Sequence, residues 1–166
     1  MEIAEAKTLI AGTQCFRHGR WAELGCGGGT FTYALAELLP AGSSILAIDR
    51  EPQRLRAVHA GISIAFRQAD LATTTFDLTG FAGILAANFL HFLPDPENLI
   101  ARYAGHIQQW VVVEYEDRRA NPWVPWPLPF ARLRSLFTAS GYQVEQAGLR
   151  ASAYGGKLYG AHAIRG

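Results

Sequence analysis

The sequence predicts an α/β domain of three layers. A mostly parallel, Rossmann-like sheet lies between helices and is closed by an antiparallel terminal hairpin. Three observations predict it. Short apolar runs alternate with helix-spaced segments along most of the chain. A glycine cluster, Gly25-Cys26-Gly27-Gly28-Gly29, separates the first apolar run from the helical pattern after it. The last two apolar runs have no helical segment between them, which makes them antiparallel neighbours. The length of 166 residues suits one domain, with 1–19 a short cap helix and 20–166 the core.

Each element has a local reason. Glu2 to Ile10 puts Ile3, Ala6, Leu9 and Ile10 on one helical face. Trp21-Ala22-Glu23-Leu24 is a short strand running into the glycines. Thr30 to Leu39 carries Phe31, Ala34, Leu35 and Leu38 along one stripe, and Pro40-Ala41-Gly42 ends it. Ser44 to Ile48 is the second strand. Pro52 predicts a helix to about His59, because its fixed φ and missing N–H suit a first turn. Ile62 to Phe66 is the third strand. Gly83 to Ala87 is the fourth, apolar throughout and so buried on both faces. Asp95-Pro96 opens a helix to about Tyr103. Trp110 to Tyr115 is the fifth strand, and Leu128 to Ser140 a helix closed by Gly141. Tyr142 to Leu149 and Lys157 to Ile164 form the closing hairpin, giving seven strands in all.

Composition excludes several classes of function. Apolar residues make up 49% and charged residues 17%, enough for a packed core. The net charge of +1 lacks the clustered basic excess that nucleic-acid binding needs. No apolar run reaches the roughly 20 residues that span a bilayer, and no secretory pattern is expected at the start. Cys15 and Cys26 are too few for a disulfide scaffold or a four-cysteine zinc site. A cytoplasmic setting is the expectation. His18, His59 and His106 have no ligand spacing, so no metal is expected.

In such sheets ligands bind beyond the carboxyl ends of the strands, near the point where strand order reverses. The glycine loop lies there. Its glycines permit a tight turn and bare backbone, and the helix after it presents free N–H groups. Asp49 ends the second strand, suited to the two hydroxyls of a ribose, or alternatively to capping a helix near Pro52. Asp70 follows the third strand and suits an exocyclic amine, or is an ordinary loop aspartate.

Together Glu23-x-Gly25-x-Gly27-x-Gly29, Asp49 and Asp70 resemble the motifs of class I S-adenosylmethionine-dependent methyltransferases. The resemblance runs from about Trp21 to Ile164. More closely, Ala87-Asn88-Phe89-Leu90-His91-Phe92 and Asn121-Pro122-Trp123-Val124-Pro125-Trp126 resemble segments of a small bacterial branch of that family. The resemblance implies S-adenosylmethionine as cofactor and seven-stranded methyltransferase topology. It places Glu23 near the methionine amino group or under the glycine loop. Gly25, Cys26, Gly27 and Gly29 meet the cofactor, the glycines through backbone. Asp49 and Arg50 lie at the ribose, Asp70 and Leu71 at the adenine, and Asn88 where the methionine part passes. An acid common in the family before the fourth strand is replaced here by Ala82-Gly83.

Methyl transfer from a sulfonium is an in-line displacement that needs orientation more than a nucleophilic residue. A base is required only where the acceptor must lose a proton. His91 is the leading candidate, with packing or helix capping as the alternative. Tyr115 stands with Glu114, Glu116 and Asp117 at the end of the fifth strand. Alternation turns at least one of these toward the pocket, the rest being solvated. His91, Trp123 and Trp126 are the substrate candidates. The two Trp rings would form an aromatic wall for a planar or cationic group, or else plug the core or meet a second copy. Insertions that form lids are minimal. An open pocket is therefore expected, completed by the Trp loop, a partner subunit or homodimer, or a large substrate. Asn88-Phe89-Leu90-His91 lacks the Asn-Pro-Pro-aromatic motif of adenine and glutamine N-methylation, which favours a small-molecule acceptor over nucleic acid. Two other readings stand beside the enzyme. One is a catalytically silent methyltransferase-like binding subunit. The other is a nicotinamide oxidoreductase, although Gly25-x-Gly27-x-x-Thr30 lacks the third glycine of that fingerprint.

Overall fold

The structure, a computed structural model, describes residues 1–166. The strands are β1 (Arg20–Leu24), β2 (Ser44–Asp49), β3 (Val58–His59), β4 (Ile62–Gln68), β5 (Phe81–Ala87), β6 (Gln109–Tyr115), β7 (Gln143–Ala151) and β8 (Lys157–Ile164). The helices are α1 (Ile3–Ala11), α2 (Thr30–Ala36), α3 (Pro96–Tyr103) and α4 (Phe130–Ala139). One sheet runs in the order β3-β4-β2-β1-β5-β6-β8-β7. The pairs β4–β2, β2–β1, β1–β5 and β5–β6 are parallel, whereas β8 is antiparallel to both β6 and β7. The order reverses at β1, whose neighbours on the two sides are β2 and β5. The carboxyl ends of β1, β2 and β5 therefore bound the crevice where ligands of such sheets bind.

Alternation of side chains sends each strand's residues to two cores. Trp21, Ile45, Leu85, Val111 and Val113 face α1 and α2. Ile84, Trp110, Val112 and Tyr159 face α3 and α4. α1 lies directly on the backbone of the hairpin. A Cβ on Gly160 would come within 1.9 Å of the Leu9 carbonyl oxygen, so only glycine permits this approach. No helix is long and apolar enough to cross a membrane.

Most element boundaries move by one to three residues. α2 ends at Ala36 rather than Leu39, and α4 starts at Phe130 because Pro129 is its N-cap. One element is different. The helix predicted from Pro52 to His59 does not form. Residues 52–57 are irregular, and Val58–His59 pairs antiparallel with β4. Ala60 and Gly61, both at positive φ (49° and 77°), make the two-residue turn between them. The Arg56 N–H donates to the Tyr33 hydroxyl (3.1 Å), and the Ile64 N–H to the Ala57 carbonyl (2.8 Å). Strand pairing to an open edge outweighs the weak helical preference of one proline.

Candidate active site

The glycine loop is tied to the end of β2. The N–H groups of Gly25 and Cys26 both donate to the Ile48 carbonyl, at 2.9 and 3.0 Å. The Gly27 N–H donates to Asp49 Oδ2 at 2.8 Å. Gly25 and Gly27 have φ of 73° and 48°, which side chains disfavour. A Cβ on Gly25 would also lie 2.7 Å from the Phe89 ring. At Gly27 and Gly28 a Cβ would meet nothing within 4 Å, so bare backbone there faces open space. Gly29 has another role. It lines neither neighbouring cleft, and its Cβ would strike Leu55 at 2.7 Å and crowd Tyr33. The third glycine therefore serves the turn into α2.

Glu23 lies beneath the loop, fully buried, and accepts a hydrogen bond from the Thr32 hydroxyl. Burial pushes its carboxyl up to about 8, with the Asp49 charge acting in the same direction. Burial, then the charges of Glu23 and Asp49, push the Cys26 thiol up to about 12, so it is no nucleophile at neutral pH. Asp49 holds two segments at once, since its Oδ1 also accepts the Glu51 N–H at 2.9 Å. That local turn replaces the expected alternative of a helix cap. Asp70 Oδ1 accepts the Ala72 N–H at 2.9 Å and shapes the loop after β4.

Three open clefts meet at Asn88. The first, about 430 Å³, is lined by Glu23, Gly25, Cys26, Gly27, Tyr115 and Arg150, among others. The second, about 350 Å³, is lined by Gly25, Gly27, Asp49, Arg50, Asp70, Leu71 and Phe89. The third, about 640 Å³, is lined by His91, Phe92, Tyr115, Arg118, Trp123 and Tyr154. Asn88 lines all three. It has a positive φ of 52°, and its N–H donates to the Val113 carbonyl at 2.8 Å. Its buried Oδ1 has no partner in the chain. Such an oxygen costs about 1–3 kcal/mol unless a donor reaches it.

His91 and Glu114 form a buried pair beside Asn88. His91 Nδ1 lies 2.5 Å from Glu114 Oε2, and the His91 backbone N–H donates to Glu114 Oε1 at 3.2 Å. The carboxylate assigns the proton of a neutral imidazole to Nδ1. That leaves the Nε2 lone pair without a partner in the chain, on a residue lining the third cleft. The Trp126 N–H in turn donates to the His91 carbonyl at 3.0 Å, so the Trp-Pro segment braces the histidine from behind.

Most of the residues singled out from sequence come together here. Glu23, Gly25, Cys26, Gly27, Asp49, Arg50, Asp70, Leu71 and Asn88 line the first two clefts; His91, Tyr115 and Trp123 line the third. Trp126 lines none of these three clefts, and its N–H reaches the His91 carbonyl beside the third. The acids after β6 are not idle. Glu116 Oε2 accepts the Phe130 N–H at the start of α4 (2.9 Å), and Asp117 Oδ1 accepts the Lys157 N–H (2.7 Å). Sequence reasoning missed Arg118 and Arg150. Arg150, on β7, is the only lysine or arginine lining the first cleft, and it pairs with Glu5 of α1 at 2.6 Å. That arginine holds the Glu5 carboxyl below the usual carboxylate range.

The sheet order, the glycine loop and the acids at the ends of β2 and β4 define a Rossmann-like domain built for an adenosyl cofactor. Residues 22–109 match the family model described as a methyltransferase domain, and the chain belongs to that family. It is 29% identical over 107 residues to the ubiquinone biosynthesis O-methyltransferase of Methylococcus capsulatus. That match takes in 61% of this chain and 41% of that protein, so the chain spans about two fifths of its curated relative. The N-terminal domain of EvdMO1, solved with S-adenosylhomocysteine bound, is similar in fold at a TM-score of 0.71 and 21% identity. That similarity covers 99% of this chain and 81% of the other. The magnesium protoporphyrin IX methyltransferase of Synechocystis, also solved with S-adenosylhomocysteine, gives a TM-score of 0.63 at 14% identity, over 90% and 74% of the two chains.

Proposed function

We propose that this protein is an S-adenosylmethionine-dependent methyltransferase acting on a hydroxyl oxygen of a small acceptor. The observation that carries this reading is the buried His91–Glu114 pair, opening onto a cleft that joins the glycine-loop clefts at Asn88. Oxygen as the acceptor atom has the support of the O-methyltransferase name of the Methylococcus relative.

The residues present fit the cofactor. Gly27 and Gly28 offer backbone with nothing above it, and the orphaned Asn88 Oδ1 awaits a donor. Asp49 would hold the ribose hydroxyls, and Asp70 with Leu71 would border the adenine. Glu23 would meet the ammonium of the amino-acid end. Arg150 is the cation available to its carboxylate. When bound, S-adenosylmethionine supplies a methyl carbon already activated for in-line displacement from sulfur.

The chain's own part is orientation and proton removal. His91 Nε2 accepts the acceptor's hydroxyl proton, making the oxygen nucleophilic. Glu114 fixes the imidazole by its two hydrogen bonds and stabilises the imidazolium that forms. Tyr115 borders both the cofactor and acceptor clefts and sets the wall between them.

Incubation with methyl-labelled S-adenosylmethionine and a panel of phenols tests this. Label should appear on oxygen. His91→Asn should lower kcat by about 100-fold or more, within the range for general bases, with unchanged affinity for S-adenosylhomocysteine. Undiminished transfer by His91→Asn, or label on nitrogen, would contradict it.

A further inference from the structure

The third cleft has a chemistry of its own. Its walls include four aromatic side chains, Phe92, Tyr115, Trp123 and Tyr154. Trp123 and Tyr154 are 79% and 80% exposed, far beyond what packing requires of such rings. No acidic residue lines the cleft, and Glu114 behind His91 is fully buried. Arg118 is the only lysine or arginine lining it, and it makes no ion pair. Its guanidinium lies 4.7 Å over the centre of the Tyr115 ring and donates to the Tyr154 carbonyl. It is thus positioned against the aromatic wall, with donors remaining.

An unpaired guanidinium in a cleft without acids repels a cation and attracts an anion. The aromatic wall formed here by Phe92, Tyr115, Trp123 and Tyr154 therefore suits a planar anionic group, not the cationic one that is one of the expectations for the Trp segment. Resting on the methyltransferase reading above, we propose that this cleft selects a planar aromatic acceptor carrying both a hydroxyl and an anionic group such as a carboxylate. The ring lies among Phe92, Trp123 and Tyr154, the anion on Arg118, and the hydroxyl at His91 Nε2. Arg118 is then the residue that sets acceptor specificity.

Calorimetry on the protein saturated with S-adenosylhomocysteine tests this with three probe sets: the hydroxybenzoates, the matching hydroxybenzamides and the matching hydroxybenzylamines. At least one hydroxybenzoate isomer should bind about tenfold or more tightly than its amide, the discrimination expected of a charge-assisted hydrogen bond. Its benzylamine counterpart should bind more weakly than either. Arg118→Gln should bring hydroxybenzoate down to the level of the amide, and Arg118→Lys should restore part of the difference. Affinity for S-adenosylhomocysteine should be the same in all three proteins. Equal binding of anion and amide, tighter binding of the amine, or no binding of any probe to the loaded protein overturns the proposal and leaves the cofactor reading intact. Failure of S-adenosylhomocysteine itself to bind overturns both.

Discussion

At the scale of single residues, Glu23 is a neutral acid at pH 7, because burial lifts its carboxyl to about 8. In the unfolded chain the same group titrates near 4.5. Between these values the folded protein holds a proton that the unfolded chain has lost, so this group's contribution to stability falls as pH rises. The Tm of the wild type should therefore decline relative to Glu23→Gln from pH 5 to pH 8, whereas parallel melting curves would contradict the assignment. An ammonium placed beside Glu23 favours its ionised form. Titration with S-adenosylhomocysteine at pH 7, compared in buffers of different ionisation enthalpy, should then show release of up to about one proton, and none from Glu23→Gln. Asp49 anchors both Gly27 and Glu51 through its two oxygens. Asp49→Ala should weaken S-adenosylhomocysteine binding by about 1–3 kcal/mol, roughly tenfold or more, as stranded polar groups do. Unchanged affinity would remove Asp49 from the site.

At the scale of elements, α1 and the β7–β8 hairpin form one wall of the first cleft. Their contact depends on Gly160, where even a methyl group would collide with the Leu9 carbonyl. Gly160→Ala should destabilise the fold by about 1–3 kcal/mol, the range for overpacking, read as a lower midpoint in urea. The Glu5–Arg150 pair crosses this same contact. Arg150→Gln should weaken S-adenosylhomocysteine binding but not that of 5′-methylthioadenosine, which lacks the amino-acid end. Glu5→Gln should strengthen the former by releasing the guanidinium. Equal losses for both ligands would show that Arg150 acts on the fold of the cleft and not on the carboxylate. The Trp-Pro segment works as a brace. Asn121 Oδ1 accepts the N–H groups of Trp123 and Val124 at 2.9 and 3.2 Å, and Trp126 holds His91 through backbone.

At the scale of the whole molecule, the crevice exists because strand order reverses at β1, and the βα units around it are legible because their strands are apolar. The acids were legible for the same reason: Asp49 and Asp70 follow recognisable strands, so their place at one end of the sheet needs no tertiary knowledge. The helix expected from Pro52 was not legible as a strand. Val58–His59 is too short to show alternation, and its turn uses Ala60-Gly61 rather than a strong hairpin dipeptide. Glu114 carried a signal in being the one charge within Trp110–Tyr115, but its partner His91 arrives from the end of another strand. Arg150 carried none, because its place depends on how β7 and β8 pair, and Arg118 reads in sequence only as part of the charged surface segment Glu116-Asp117-Arg118-Arg119. The first two clefts together are proposed to hold an adenosyl cofactor of the sulfonium type. Calorimetric titration of the purified protein with S-adenosylhomocysteine, with NADH as control, tests it most directly. The expected result is a single micromolar site for S-adenosylhomocysteine and no heat with NADH. Binding of NADH alone, or of neither compound, would contradict it.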